Sequence, residues 1–461
     1  MTMILREFAR SCLAMGIIGV AACGGGGGGS PAQIQAPTLT SVALSPLTVS
    51  LPPGGTQQLT VTGTFSDSST QTLPASGEAF ASSNTAVATV SATGLVTVAA
   101  GAAVSSTATI TVTDTDTKIT SAAAASTVVT VAAAASGPPT ANSVAAATTT
   151  AQNNSLCTAI QPFYWEIGDS TAALASASVG VDANGAPVLA STTYSIASAS
   201  KWIYGMYVMQ QLGSAAALTA ANIPFLNFTS GYTNMGGDVT GAECPNTDSP
   251  DDINTCLALD NPSNNLPYSY KNPATVGTFN YDAGHLENYA SLYGNIGTTL
   301  VADLGPTIGA ALAPNIKLVY TEALMAGGIV TTAGDYAAIL RNMLAGNLVM
   351  LDVLGTNSVC TSSSVAGCNA TFTPIPEAWH YSIAHWVEND PATNGDGAFS
   401  SPGAFGFYPW VEAGKHYYGI ISREQFTGTG IQQGYASAQC GRLIRKAFDT
   451  GTVQTAALPV S

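Results

Sequence analysis

Charge is scarce in this sequence. Only 8% of its 461 residues are Asp, Glu, Lys or Arg, and 12 scattered basic residues stand against 27 acidic ones. A phosphate backbone is held by clustered Lys and Arg, so this composition argues against a nucleic-acid partner. Histidine is rarer still, with four in the chain, none in an H-E-x-x-H arrangement, and no two cysteines stand in C-x-x-C spacing. No metal site and no cofactor is therefore expected. The G-x-S-x-G pentapeptide is also missing, which disfavours the nucleophile elbow of α/β-hydrolases. What remains, a net charge of −15 with abundant Ala, Thr, Ser and Gly, fits a soluble exported protein.

The first residues point to the same compartment. Arg6 and Arg10 precede a short apolar run from Leu13 to Val20, and Val20-Ala21-Ala22 leads to Cys23. Basic residues, a short apolar core and small residues before a cut are the marks of a signal peptide, here 1–22. The run is too short for a permanent membrane span. The residues around Cys23 resemble a bacterial lipobox, which implies a diacylglyceryl group on Cys23. A glycine-rich tether, 23–36, would then hold the protein off the membrane, facing periplasm or exterior, with the lipid as its only membrane contact.

Without Cys12 and Cys23, six cysteines are left: Cys157, Cys244, Cys256, Cys360, Cys368 and Cys440. An even number in an exported chain implies three disulfides, and fifteen pairings are formally open. Short spacings favour Cys244 with Cys256 and Cys360 with Cys368, leaving Cys157 for Cys440.

Composition divides the rest of the chain. Over 37–135, short β-branched runs such as Gln58-Leu59-Thr60-Val61-Thr62 alternate with Gly, Pro and Ser turns, the pattern of a small antiparallel sandwich. Residues 136–152 are rich in Ala, Thr and Pro without a periodic apolar pattern and read as a linker. Residues 153–461 hold almost all the aromatic and basic side chains and form the catalytic candidate.

Within that segment, Ser198-Ala199-Ser200-Lys201 lies between the strand-like run Thr193 to Ile196 and the apolar stretch Trp202 to Leu212, which Gly213 ends. The stretch has helix length, so the spacing predicts a buried helix starting near Ser198. Residues three apart share a helix face, which lets the Ser198 hydroxyl meet the Lys201 amine as a nucleophile meets its base. A helix N-terminus also favours a developing oxyanion. Of the six lysines, only Lys201 has Ser three positions before it.

Further segments carry two resemblances. Ser45-Pro46, Pro53-Gly54-Gly55-Thr56, Ser82-Ser83-Asn84 and Gly94-Leu95-Val96 resemble the group 2 bacterial Ig-like family, with Phe80 where that family usually has Trp. Tyr194 to Trp202, Phe225 to Tyr232 with its Thr229-Ser230-Gly231, Phe279-Asn280-Tyr281-Asp282-Ala283, and Ser400-Ser401-Pro402-Gly403-Ala404 before the strand Tyr417 to Ser422 resemble, in order, motifs of the class C β-lactamase and penicillin-binding-protein superfamily. That second resemblance implies a multidomain chain: an all-β sandwich, then an αβα layered domain with a central antiparallel sheet and a mostly helical part. It implies Ser198 as nucleophile, Lys201 as base and Tyr281 in the proton relay. The N–H groups of Ser198 and Ala404 would form the oxyanion hole, and Ser401 and Gly403 would meet the substrate.

Two departures shape the expected activity. Ala283 replaces an Asn that positions acylamido substrates, and Ser401 replaces a cationic or imidazole anchor for a substrate carboxylate. Both favour a small ester or amide, or a polymer-derived oligomer, over a penicillin or a D-alanyl peptide. A D-alanyl peptidase or β-lactamase is the enzymatic alternative. A catalytically silent surface protein that binds cell-wall or polymer ligands through its Ig-like module is the alternative of another class. His380 and His385 are expected to be structural.

Overall fold

The structure is a computed structural model that describes residues 37–46, 48–51, 54–74, 77–99, 101–103, 106–114, 124–131, 141–236, 251–393, 395–426 and 431–456. The expected signal peptide, the tether with Cys23, and Cys244 lie outside the described residues.

The N-terminal part is all β. Strands Leu39–Ser45, Thr60–Phe65 and Thr70–Thr72 form one small sheet, and Thr48–Leu51, Ala124–Val131, Thr107–Asp114 and Glu78–Ser82 form another. A third joins Thr56–Gln58, Leu95–Val98 and Ala88–Val90. Alternation along Thr107–Asp114 sends Ala108, Ile110 and Val112 inward, where they meet Leu44, Val61, Val96 and Val129 in a separate core. Phe80 packs on that core, and Gly94, at φ 81°, passes under its ring.

The second part is layered. It contains α1 (Ala141–Asn153), β1 (Phe163–Gly168), β2 (Ala173–Val179), β3 (Thr193–Ser195), α2 (Ala199–Leu212) and α3 (Gly284–Leu292). Then come β4 (Val319–Tyr320), β5 (Ile329–Thr332), α4 (Ala333–Leu344), β6 (Val359–Cys360), β7 (His380–Tyr381) and β8 (Trp386–Glu388). Last are β9 (Ala398–Ser400), β10 (Tyr408–Val411), β11 (Tyr418–Ser422) and α5 (Ile431–Thr450). The large sheet is antiparallel with the order β2-β1-β11-β10-β9-β8-β7-β6. A small sheet, β3-β5-β4, lies beside α2.

Helices cover both faces of the large sheet, which is why β1, β10 and β11 are buried at every position rather than alternately. On one face Trp410 and Tyr408 meet α5, whose Arg445 stacks over Trp410 and whose Gly441 lies against Tyr408. On the other, Tyr418 and Glu166 reach Arg341 of α4. All five tryptophans are fully buried. Between α2 and β4 the described residues include the helices Gly284–Leu292 and Val301–Leu312 and several shorter helical turns, so a layered domain with a part built on helices, as the resemblance implies, is present.

One boundary differs from the sequence reading. Residues 141–152, part of the expected linker 136–152, lie in α1, which packs against α5. Its buried residues are Ser143, Ala146, Ala147, Thr150 and Ala151, a helical spacing of small rather than large side chains. A stripe of Ala, Ser and Thr carries almost no hydropathy signal, yet it lets two helices approach closely.

The two ends of the second part are fastened together. Cys157 is bonded to Cys440 in α5 with Cα atoms 4.9 Å apart, and Asn154 Nδ2 donates to the carbonyls of Gln454 and Ala456. Cys360 is bonded to Cys368, and Cys256 is also disulfide-bonded. Since the Cys157–Cys440 bridge spans 283 residues, replacing both cysteines by Ser is expected to lower stability by on the order of 5 kcal/mol, measured by denaturant unfolding. Unfolding at the same denaturant concentration in both forms would contradict this.

Candidate active site

The nucleophile candidate is placed by a strained turn. After β3 the Ile196 N–H donates to the Ile329 carbonyl, and Ala197 follows at φ 43°, a left-handed conformation that costs a residue with a Cβ. That kink brings Ser198 to the N-cap of α2. Its hydroxyl makes no capping bond, unlike most N-cap serines, and accepts instead from Lys201 Nζ at 3.1 Å. Lys201 also donates to the Ala326 carbonyl at 2.9 Å. Both residues are buried, Ser198 at 8% and Lys201 at 5% exposure, so the pair works largely out of water.

Around this pair α2 is clamped on several sides. The Ile329 N–H donates to Ser200 Oγ at 3.2 Å and the Tyr336 hydroxyl to the Ala199 carbonyl at 3.1 Å. Residues Ala199 to Met209 are all buried, so α2 has no solvent face and runs through the domain interior. Gly213, at φ 76°, closes it, as the sequence led one to expect.

Tyr281 lies beside the amine, with Lys201 Nζ 4.8 Å from its ring centroid. The ring is stacked on Trp386 and crossed by Phe228 and Tyr381, which fixes its plane. The Tyr281 N–H donates to the Phe372 carbonyl at 3.1 Å, so the backbone is fixed too.

The third element lies against the same turn. Ser401 Oγ is buried and donates to the Ser198 carbonyl at 2.9 Å, so this side chain braces the backbone of Ser198. Gly403 likewise packs directly on the Ile196 carbonyl, which a side chain there would strike. The two substrate-binding candidates thus both touch the backbone of the strained turn. Ala404 follows in the adjoining turn. Among the described residues, neither the Ser198 nor the Ala404 N–H has a hydrogen-bond acceptor.

Three groups here escaped the sequence reading. Asp282 accepts from the N–H groups of Met235, Gly236 and Gly284, tying the segment after Ser230 to the start of α3. His285 is buried, and burial lowers its pKa to about 3. The neutral ring donates from Nε2 to the Asn280 carbonyl, which can only accept, so Nδ1 accepts from the Ser230 hydroxyl. Glu287 accepts from the Ala326 N–H at 2.9 Å. Its position amid an apolar helix run was visible in the sequence; its full burial was not. His385 is buried, its Nδ1 facing the Ile383 carbonyl, and His380 bonds Asn389. No group of three or more His, Cys, Asp or Glu among the described residues is placed to hold a metal ion.

Comparison with known proteins gives two findings. Residues 38–124 match the bacterial Ig-like domain (group 2) family. No curated protein matches the chain. Several solved structures are similar to its second part. The D-amino acid amidase of Ochrobactrum anthropi is 9% identical over 65% of this chain and 99% of its own, at a TM-score of 0.45. The octameric penicillin-binding protein homologue of Pyrococcus abyssi is 12% identical over 65% and 76%, at 0.41. Simvastatin synthase of Aspergillus terreus is 13% identical over 68% and 100%, at 0.37.

Burial raises the pKa of Asp282 to about 6 and of Glu287 to about 8, outweighing the backbone N–H groups and Lys201, which lower both. Each carboxyl therefore holds its proton more tightly folded than unfolded. The stability this contributes is complete below the ordinary carboxylate range and is lost as pH rises through about 6 for Asp282 and about 8 for Glu287. Asp282→Asn is expected to unfold more easily at pH ~5 but to lose less stability than the parent between pH ~5 and ~7. Parallel urea titrations check this, and equal losses in the two proteins would refute it.

Proposed function

We propose that the chain is a serine acyl-hydrolase that cleaves a small ester or amide through an acyl-enzyme on Ser198. The observation that carries this reading is the buried contact of Lys201 Nζ with Ser198 Oγ at the start of α2, which unites nucleophile, base and helix N-terminus.

In the proposed reaction the Ser198 oxygen attacks the substrate carbonyl while its proton passes to the Lys201 amine. The carbonyl oxygen gains charge opposite the N–H groups of Ser198 and Ala404. Collapse breaks the bond to the leaving alcohol or amine, which takes its proton through the Tyr281 hydroxyl. Water then attacks the acyl-serine, Lys201 again acts as base, and the acid departs with Ser198 regenerated. No cofactor takes part.

The site's polarity selects the substrate. Ala283 offers no amide, and the Ser401 hydroxyl is spent on the Ser198 carbonyl. A substrate carboxylate thus finds no cation in this element, and charge-assisted bonds are roughly twice as strong as neutral ones. This disfavours the D-alanyl peptidase and β-lactamase alternative. The export signal, the lipid on Cys23 and a spacer or surface-binding part for the Ig-like module belong to the same proposal. No helix among the described residues is long and apolar enough to cross a membrane, and the disulfides suit an oxidising compartment.

Short-chain aryl esters should be hydrolysed and a fluorophosphonate should label Ser198, with both lost in Ser198→Ala. Penicillins should be turned over on the order of ten- to a hundredfold less well, the counterpart of one missing charged bond. Ser401→Ala should slow ester turnover only several-fold, by about 1 kcal/mol of backbone support. Neither ester turnover nor labelling in the intact protein would leave the silent surface-binding reading in its place, and efficient penicillin hydrolysis with weak esterase activity would restore the β-lactamase reading.

A further inference from the structure

We propose that Glu287 is a positioning residue for the Ser198–Lys201 pair and acts through residue 326. The proposal rests on the acyl-hydrolase reading and assigns a part to a side chain that the reading itself does not use.

Residue 326 is engaged at both ends. Its N–H donates to Glu287 Oε1 at 2.9 Å, and its carbonyl accepts from Lys201 Nζ at 2.9 Å. The amine is thereby held between that carbonyl and Ser198 Oγ. What holds the carbonyl is in turn the carboxyl of Glu287 on α3, in a different element from both members of the pair. The segment needs such an anchor. Residue 326 is followed by Gly327 and Gly328, and Gly328 packs so closely that a Cβ there would stand 2.9 Å from the carbonyl oxygens of Glu322 and Leu324. Two successive glycines leave the direction of the Ala326 carbonyl to its hydrogen bonds rather than to side-chain sterics.

The surroundings of Glu287 fit a neutral anchor. Glu287 is fully buried, and Lys201 and Tyr204 of α2, Tyr320 of β4 and Glu322 lie within electrostatic reach of it. Glu287 Oε2 has no hydrogen-bond partner among the described residues, nor do the hydroxyls of Tyr204 and Tyr320. Burial keeps the proton on this carboxyl to about pH 8. At neutral pH it therefore offers Oε1 as acceptor without placing a full negative charge beside the amine. The part Glu287 plays is that of an acceptor of fixed position, and an uncharged amide can play it too.

The test compares Glu287→Gln, which keeps an acceptor oxygen, with Glu287→Leu and Glu287→Met, which lack one, all in the full chain. Two readouts are taken on each folded variant: the rate of Ser198 labelling by a fluorophosphonate, resolved into probe affinity and maximal rate, and a crystal structure of the free protein. Gln should retain the maximal rate within about threefold and keep Lys201 Nζ on the Ala326 carbonyl. Leu and Met should lose about tenfold or more in maximal rate, with probe affinity unchanged, the size expected for one lost orienting bond. In their structures the carbonyl should have left the amine and the contact to Ser198 Oγ should have opened. Should Leu fail to fold, Met of nearly the same length decides. Wild-type rates in Leu or Met, a loss in Gln as large as theirs, or an unmoved Ala326 carbonyl in the acceptor-free variants would overturn the proposal. If the parent protein takes no label at all, the hydrolase reading fails, while the crystal structures still decide whether Glu287 sets the geometry.

Discussion

A lysine amine enclosed in a protein interior must be given acceptors, and the second part of this chain is arranged around meeting that demand for Lys201. One acceptor, Ser198 Oγ, exists only because Ala197 adopts a left-handed turn that takes the serine off its usual capping role. The turn is held by the Ile196 bond to β5, by Ser401 on the Ser198 carbonyl and by Gly403 against Ile196. The other acceptor, the Ala326 carbonyl, comes from the segment that leads into β5. The small sheet, the end of β9 and the start of α2 thus share one constraint, and displacing any of them moves the amine.

Charge is distributed unevenly about the large sheet. On the α5 face Arg442 is paired with Glu377, and Arg445 with Glu388 and Asp396, while Arg423 donates to Gln433 and Ser437 of α5. There Asp396 is held below the ordinary carboxylate range by Arg445. Around α2 and α3 the only cation in reach of Asp282 and Glu287 among the described residues is Lys201, and both carboxyls hold their protons upward of their usual range. A chain with few charges thus sets carboxylates beside arginines against the large sheet and leaves two carboxyls near a single lysine around α2 and α3.

Much of this was legible in the sequence. The helix from Ser198 to its glycine stop could be read because its periodicity, length and terminator are local properties. The sandwich was legible from alternating β-branched runs. Other features depend on what meets what in space. Helix α1 was hidden because its contact stripe is made of Ala, Ser and Thr, which no hydropathy pattern marks. Ser401 and Gly403 were found as a motif, but their contacts with the Ser198 turn were not legible, since a neutral hydroxyl and a missing side chain look alike whatever they touch. Glu287 and residue 326 could not be linked at all: they stand 39 positions apart, and their connection runs through a backbone N–H.

The joined ends of the second part have a mechanical meaning. Its first helix lies along its last, the Cys157–Cys440 bond ties them, and Asn154 and Thr150 bind the residues around Gln454. A pull applied between the N-terminal module and the C-terminal residues would pass through this covalent clasp and the paired helices. The 283-residue span between the two cysteines, with the sheet and the Ser198 turn inside it, would carry almost none of that tension. A surface-held chain could be stretched at its ends while the geometry of its buried amine stayed unloaded.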